Sequence, residues 1–296
     1  MAKRAQGSSF GLRKRGHMGM KIVVFSDLDA TLLDEETYSW KPAERAIEAL
    51  KKRDAALVMV TSKTFAEVES LHEELGFQDP FVFENGGGIA LHKQSPLRDD
   101  LQPWAPNLDE FGRDRFAVFA LGARYETLVK SLAEISSEVG TPLFGFSAMS
   151  EEEVANATGL SMSEAVKARM RLFDEPFVKA KESAVLVAWV KAAANRRGLD
   201  ITKGGRFWHL IGHAGKGKAV AILLEAFQER YGEVLSIGLG DSPNDTPFLQ
   251  LVDIPVILGK SSEAEVGLSL PEGALRYDVP GPKGWNQAVL DILATL

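Results

Sequence analysis

Short apolar runs alternate with amphipathic stretches along the first part of the chain. "KIVVFS" (21–26) is a nearly unbroken run of β-branched and aromatic residues, the pattern of a strand covered on both faces. "PAERAIEALKKR" (42–53) spaces its apolar residues for one helix face, with Pro42 in the first turn. "AALVMVTS" (55–62) predicts a second buried strand. "FAEVESLHEELG" (65–76) predicts a second helix stopped by Gly76. "PFVFENGGGIAL" (80–91) reads as a third strand broken by glycines. This rhythm predicts an α/β fold, a doubly wound Rossmann-like parallel sheet.

The middle of the chain changes character. A polar, turn-rich stretch (92–112) leads to a strand (115–121) and a helix near 124–138. Then come a strand-like "PLFGFS" (142–147), a helical region (150–170), "FVKAK", a helix near 184–197, and the short runs "LDITKG" and "RFWHLIG". Strands mixed with helices in this way predict an α+β cap over 92–212, inserted into a core made of 21–91 and 213–296. The α/β rhythm returns with a helix (216–232), a strand in "VLSIGLGDSPND" (234–245), a short helix in "TPFLQLV", a strand in "IPVILG" and a closing helix in "GWNQAVLDILATL".

Composition narrows the function classes. The 45% hydrophobic and 25% charged residues fit a folded soluble protein rather than a disordered chain. A formal net charge of -7 argues against nucleic acid as the main partner. There is no cysteine, which removes thiolate and disulfide chemistry and fits a reducing cytoplasm. No apolar run reaches membrane-spanning length. Residues 1–20 are basic and Gly/Ser-rich without an apolar segment, so they read as a flexible extension and not a secretory signal. Monomer and homodimer are both compatible with the sequence.

Two buried strands end in carboxylates: 22–26 runs into Asp27 and Asp29, and 234–239 leads to Asp241 and Asp245. Ligands of such sheets bind outside the carboxyl ends of the strands, so the two acidic groups should meet. Carboxylates gathered there repel unless a hard cation such as Mg2+ offsets them. Thr61 and Ser62 end another strand and offer hydroxyls. Thr61 could equally cap the following helix. Lys216 starts a helix, where ammonium and free N–H groups favour an anion, although a solvated surface lysine would look the same. Metal, carboxylates, hydroxyl and lysine together compose a phosphoryl-transfer site.

These four motifs in order, "DLDAT" (27–31), Thr61 after "LVMV", Lys216 in "GKGKA" and "GDSPND" (240–245), resemble the haloacid dehalogenase-like phosphatase superfamily, in the Cof-like group with a large type IIB cap. The resemblance implies Asp27 as nucleophile and Asp29 as acid/base, with Thr61 and Lys216 holding the phosphoryl group. It implies an Mg2+ site of Asp27, the Asp29 carbonyl and Asp241, supported by Asp245, with Asn244 orienting the phosphate side. One position departs from the usual motif: Ala30 stands where glycine is familiar. If the backbone there is left-handed, Ala30 is strained.

"TSKT" (61–64), "ENGGGI" (84–89), "RLFDEPF" (171–177) and "GGRFWHLIG" (204–212) further resemble the mannosyl-3-phosphoglycerate phosphatases. This implies a small substrate carrying phosphate, a glycerate carboxylate and a sugar. Arg171 would bind the carboxylate bidentately, with Arg169 competing for the role. Ser62, Lys63, Asn85, Glu175 and His209 are the remaining substrate-binding candidates. The rival expectations are another sugar phosphatase, of the glucosyl-3-phosphoglycerate or sucrose-phosphate type, and a degenerate sugar-phosphate-binding scaffold with Ala30 as its first lesion.

Overall fold

The structure is a computed structural model and describes residues 20–104, 115–179, 183–204, 206–259 and 273–296. Residues 1–19 of the expected basic extension lie outside the described residues, as do 105–112 of the polar stretch.

The elements run in this order: β1 (Lys21–Ser26), α1 (Glu44–Lys52), β2 (Ala56–Met59), α2 (Phe65–Leu75), β3 (Phe81–Phe83), β4 (Gly88–His92), α3 (Arg98–Leu101) and β5 (Phe116–Ala120). Next come α4 (Tyr125–Val139), β6 (Leu143–Gly145), α5 (Glu151–Thr158), α6 (Met162–Ala168), β7 (Asp174–Lys179), α7 (Ala184–Asn195), β8 (Asp200–Lys203) and β9 (Trp208–Ile211). The chain closes with α8 (Lys216–Tyr231), β10 (Val234–Gly240), α9 (Thr246–Leu249), β11 (Ile254–Leu258), β12 (Leu275–Tyr277) and α10 (Gly281–Thr295).

A parallel sheet in the order β12-β11-β10-β1-β2 forms the centre. Side chains of β1 alternate across it. Val24 joins the apolar layer with α1, α2 and α10, where Phe65 and Trp285 are fully buried. Val23 and Phe25 join the opposite layer under α8 and α9, with Phe227 and Phe248. All three β1 side chains have no exposed surface, and burial of each is worth about 1.5–3 kcal/mol. This explains why β1 reads as an unbroken apolar run: both faces of the sheet are covered.

Two expectations are corrected here. The stretch 80–91 is not one interrupted strand but an antiparallel hairpin, β3 with β4, turned by Glu84, Asn85 and Gly86. The strand near 115–121 does not belong to the cap. β5 pairs with β4, and its Phe116 and Phe119 enter the two core layers. The core therefore extends through Ala120, past the expected boundary at 91. Its apolar alternation is the same in either sheet, so the pattern alone could not assign the partner.

The cap is a second antiparallel sheet, β6-β7-β9-β8, backed by α4 and α7 around Leu132, Phe177 and Leu210. The single helical region expected over 150–170 divides at Gly159, left-handed with φ 78°, and restarts at a capping box on Ser161. The two connections to the core touch each other. A Cβ on Gly212 would collide with the Ala123 backbone, and one on Gly122 would press on Gly87.

Candidate active site

Parallel pairing of β1 with β10 sets both acidic strand ends on one edge of the sheet. The Asp27 amide donates to the Leu239 carbonyl at 2.9 Å, which fixes Asp27 beside the loop after Gly240. Carboxylate oxygens of Asp27, Asp241 and Asp245 all lie within 4.8 Å of one another. Lys216, buried at the start of α8, donates to Asp27 Oδ1 and Asp245 Oδ1 at 2.7 Å each. Asp245 Oδ2 accepts the amides of Asp241 (3.2 Å) and Ser242 (3.1 Å), bracing the loop that carries Asp241. Thr31 donates its hydroxyl to Asp241 Oδ1 at 2.9 Å.

The electrostatics of this group are unbalanced. Burial pushes the Asp27 carboxyl well above its ordinary range, the Asp245 charge adds to that, and Lys216 only partly offsets it. Burial, then Asp245, raises Asp241 to about 7. Burial alone would lower the Lys216 ammonium, but Asp245 and Asp27 outweigh it and hold it above its usual value. Three carboxylates against one ammonium leave a charge deficit in an all-oxygen donor set, which fits a hard divalent cation such as Mg2+.

Asp29 behaves differently from Asp27. Its side chain is 43% exposed, and its Oδ1 lies 2.9 Å from the ammonium of Lys63. The contact is an ion pair without hydrogen-bond alignment, since the same buried oxygen has no hydrogen-bond partner among the described residues. Lys63 also approaches Glu67 (3.7 Å) and the Tyr38 ring (4.9 Å). Burial by itself would lower the Lys63 ammonium, while Asp29 and Glu67 raise it above its usual value. Asp29 is thus half-exposed and paired with Lys63, whereas Asp27 is buried and held by Lys216.

Thr61 is buried, and its hydroxyl accepts the Lys63 amide at 3.2 Å. It does not cap α2; Thr64 does, in a capping box with Glu67. Ala30 is left-handed, φ 58°, as the motif's familiar glycine suggests.

A cavity of about 290 Å³ joins this edge to the cap. Asp27, Asp29, Lys216, Asp241 and Asn244 line its core side, with Ser62 and Lys63 beside them. Arg171 and His209 line the cap side. Arg169 is turned instead towards Glu151, at 3.9 Å, and is not among the cavity's lining residues, so of these two arginines Arg171 is the one in the cleft. Arg171 is largely committed already: Nε donates to the Ala168 carbonyl, and Nη1 to Ser62 O and Asp174 Oδ2. Only Nη2 has no partner among the described residues, so the two-nitrogen bidentate grip expected of Arg171 would need its present hydrogen bonds to break.

Glu175 is a correction. It is fully buried on the far face of β7, where Ser147 donates its amide and hydroxyl to Oε1, and it does not line the cavity. Burial raises its carboxyl above the ordinary range. Asn85 is likewise behind the cleft: its amide donates to Asp174 Oδ2 at 2.9 Å, and its oxygen accepts from Asn244 at 3.4 Å. Trp208 packs against the cap's apolar cluster.

Three residues escaped the sequence reading. Asp174 binds Arg171, Asn85 and His209 at once. Tyr38, left-handed at φ 54°, lines the cleft and donates its hydroxyl to the Thr158 carbonyl at 3.3 Å, spanning core to cap. Arg206 lines the cleft and donates to the same carbonyl. The signal for Asp174 was present in "RLFDEPF". Strand parity puts positions 174 and 175 on opposite faces, and the charge nearer the arginine was the one to choose.

Comparison with known proteins agrees with this geometry. The haloacid dehalogenase-like hydrolase family matches residues 24–104. A Persephonella marina protein named glucosyl-3-phosphoglycerate/mannosyl-3-phosphoglycerate phosphatase is 38% identical over 277 residues, covering 92% of this chain and 97% of its own. A protein of the same name from Methanococcoides burtonii is 37% identical over 275 residues, covering 93% and 98%. Among solved structures, a phosphatase of the haloalkanoate superfamily from Bacteroides thetaiotaomicron shares the fold with a TM-score of 0.64 at 16% identity, covering 97% of this chain and 100% of its own. A subclass IIB sugar phosphatase does so at 0.60, also at 16% identity, covering 92% and 99%.

Proposed function

Because this chain belongs to the haloacid dehalogenase-like hydrolases and is a phosphoric monoester hydrolase, we propose that it removes phosphate from mannosyl-3-phosphoglycerate, giving mannosylglycerate, a compatible solute, and inorganic phosphate. The observation that carries this reading is that one cavity is lined by Asp27 and Lys216 at the sheet edge and by Arg171 and His209 in the cap. Such a cleft suits an ester with a phosphate at one end and a carboxylate and hydroxyls at the other. The relatives' names carry both sugars, so the second reading is the glucosyl ester on the same residues.

Asp27 attacks phosphorus as the P–O bond to the glycerate oxygen breaks, leaving an aspartyl-phosphate. Asp29 gives its proton to the departing alkoxide, then takes one from the water that attacks the acyl phosphate, and Asp27 is regenerated. Lys216 holds phosphoryl oxygens against Asp27. Asp27, Asp241 and the Asp29 carbonyl would hold Mg2+, with Asp245 in support, and the ion would supply positive charge to the phosphoryl group. Arg171 Nη2 takes the carboxylate. The cap excludes bulk water while the acyl phosphate exists.

The test is phosphate release from mannosyl- and glucosyl-3-phosphoglycerate, sucrose phosphate and simple hexose phosphates, each with Mg2+ and with EDTA. The expected result is a marked preference for the glycerate esters that depends on Mg2+. Equal rates on hexose phosphates lacking glycerate would overturn the substrate assignment.

A further inference from the structure

Asp174 has no exposed surface, yet four hydrogen-bonding contacts converge on it from both parts of the molecule. Its Oδ2 accepts from Asn85 Nδ2 of the core at 2.9 Å and from Arg171 Nη1 at 3.3 Å. His209 Nδ1 lies 2.9 Å from Oδ2 and 3.0 Å from Oδ1. A carboxylate only accepts hydrogen bonds, so the proton of this contact sits on His209 Nδ1. In a neutral ring Nε2 is then an acceptor. Nε2 has no partner among the described residues, and His209 lines the cleft. The backbone beside it is left open by Gly204, where a Cβ would stand 2.9 Å from Nε2.

We propose that Asp174 is the positioning residue for substrate selection: it fixes His209 as a hydrogen-bond acceptor for a sugar hydroxyl and holds Arg171 so that Nη2 meets the carboxylate. The assignment rests on the proposed function, since it names the part of that substrate each group reads. Asp174 touches no substrate atom itself. It acts through two cap residues, and through Asn85 it ties their placement to the core loop carrying Asn244. The site thereby couples phosphate binding below to hydroxyl and carboxylate recognition above.

The experiment compares kcat and KM for mannosyl-3-phosphoglycerate and for p-nitrophenyl phosphate, which has neither sugar nor carboxylate, in the wild type and in Asp174→Asn. An amide cannot accept from all three partners, and its NH2 must face one of them. KM for the glycerate ester should rise by about tenfold or more, and the preference over p-nitrophenyl phosphate should fall by the same factor. A proportional loss on both substrates, or no change in KM, overturns the proposal. Gly204→Ala tests the same point without touching the buried cluster, by setting a methyl against Nε2. It should raise KM for the glycerate ester alone, and an unchanged KM counts against the inference.

Nitrogen-15 NMR of the wild-type imidazoles, with His209 assigned by difference from His209→Gln, reads the tautomer directly. Protonation at Nδ1 is expected, and protonation at Nε2 overturns the proposal even if Asp174→Asn fails to fold. A wild type that shows no preference for the glycerate ester would sink the functional reading instead, and the NMR result would still decide what Asp174 does to His209.

Discussion

The carbonyl of Ala30 accepts the amide of Gly281 at 2.9 Å, and both residues are left-handed, at φ 58° and 65°. The first motif is therefore pinned from behind by the start of α10. A left-handed alanine costs ~1–2 kcal/mol, while glycine loses ~0.4–1 kcal/mol through a freer unfolded chain. Ala30→Gly should accordingly stabilise the protein slightly, by ~0.5–1 kcal/mol, with phosphatase activity retained. Thermal melting and phosphate release check this. A fall in melting temperature would show that the methyl group packs better than the strain suggests.

Lys216→Met removes the one ammonium shared by Asp27 and Asp245. Two buried carboxylates lose their partner, which should cost ~3–5 kcal/mol and abolish turnover. Denaturant titration and a phosphate assay measure both effects.

Removing divalent cations from the wild type should lower its melting temperature, because a cation would offset the charge of Asp27, Asp241 and Asp245. Mg2+ at a hundredfold its dissociation constant should add ~2.7 kcal/mol. Differential scanning fluorimetry with Mg2+ against EDTA reads this, and identical melting curves would contradict a cation at this edge.

Asp27→Asn keeps the shape but removes the carboxylate proposed to attack phosphorus. Turnover should fall by a factor on the order of a thousand or more, while the cap residues still bind. Binding of unreacted mannosyl-3-phosphoglycerate by calorimetry, beside the lost turnover, separates chemistry from recognition.

Glu84 sets a pH dependence of stability. Its buried carboxyl accepts the amides of Leu172 and Phe173, joining core to cap. Burial, opposed mainly by the Arg171 charge, raises it from 4.5 to about 7. The folded state thus keeps a proton that the unfolded chain releases. The resulting stabilisation is complete below pH 4.5 and is lost as pH rises through 7, up to ~3 kcal/mol in all. Glu84→Gln lacks this proton. Urea midpoints at pH 5 and pH 8 should show the wild type losing ground to the variant at the higher pH, and a pH-independent difference would refute it.

Much of the core was readable because β1 and β10 are covered on both faces and end in acids. That combination needs no tertiary information. The cap was harder. Arg171, His209 and Glu175 were readable as candidates, but Asp174 was not, because the facing of the strand that separates it from Glu175 is not visible in the sequence. β5 went to the wrong sheet because an apolar strand does not announce its neighbour. Tyr38 could not be found at all: its place depends on a left-handed backbone and on a carbonyl of α5 more than a hundred residues away.

The contact of Gly122 and Ala123 with Gly212 has a consequence for assembly. To the core, the whole cap is a loop whose two ends meet. Bringing together the ends of a flexible loop of roughly 90 residues costs about 4 kcal/mol in chain entropy beyond a constant. A cap that folds first delivers its ends already joined and spares the core that cost.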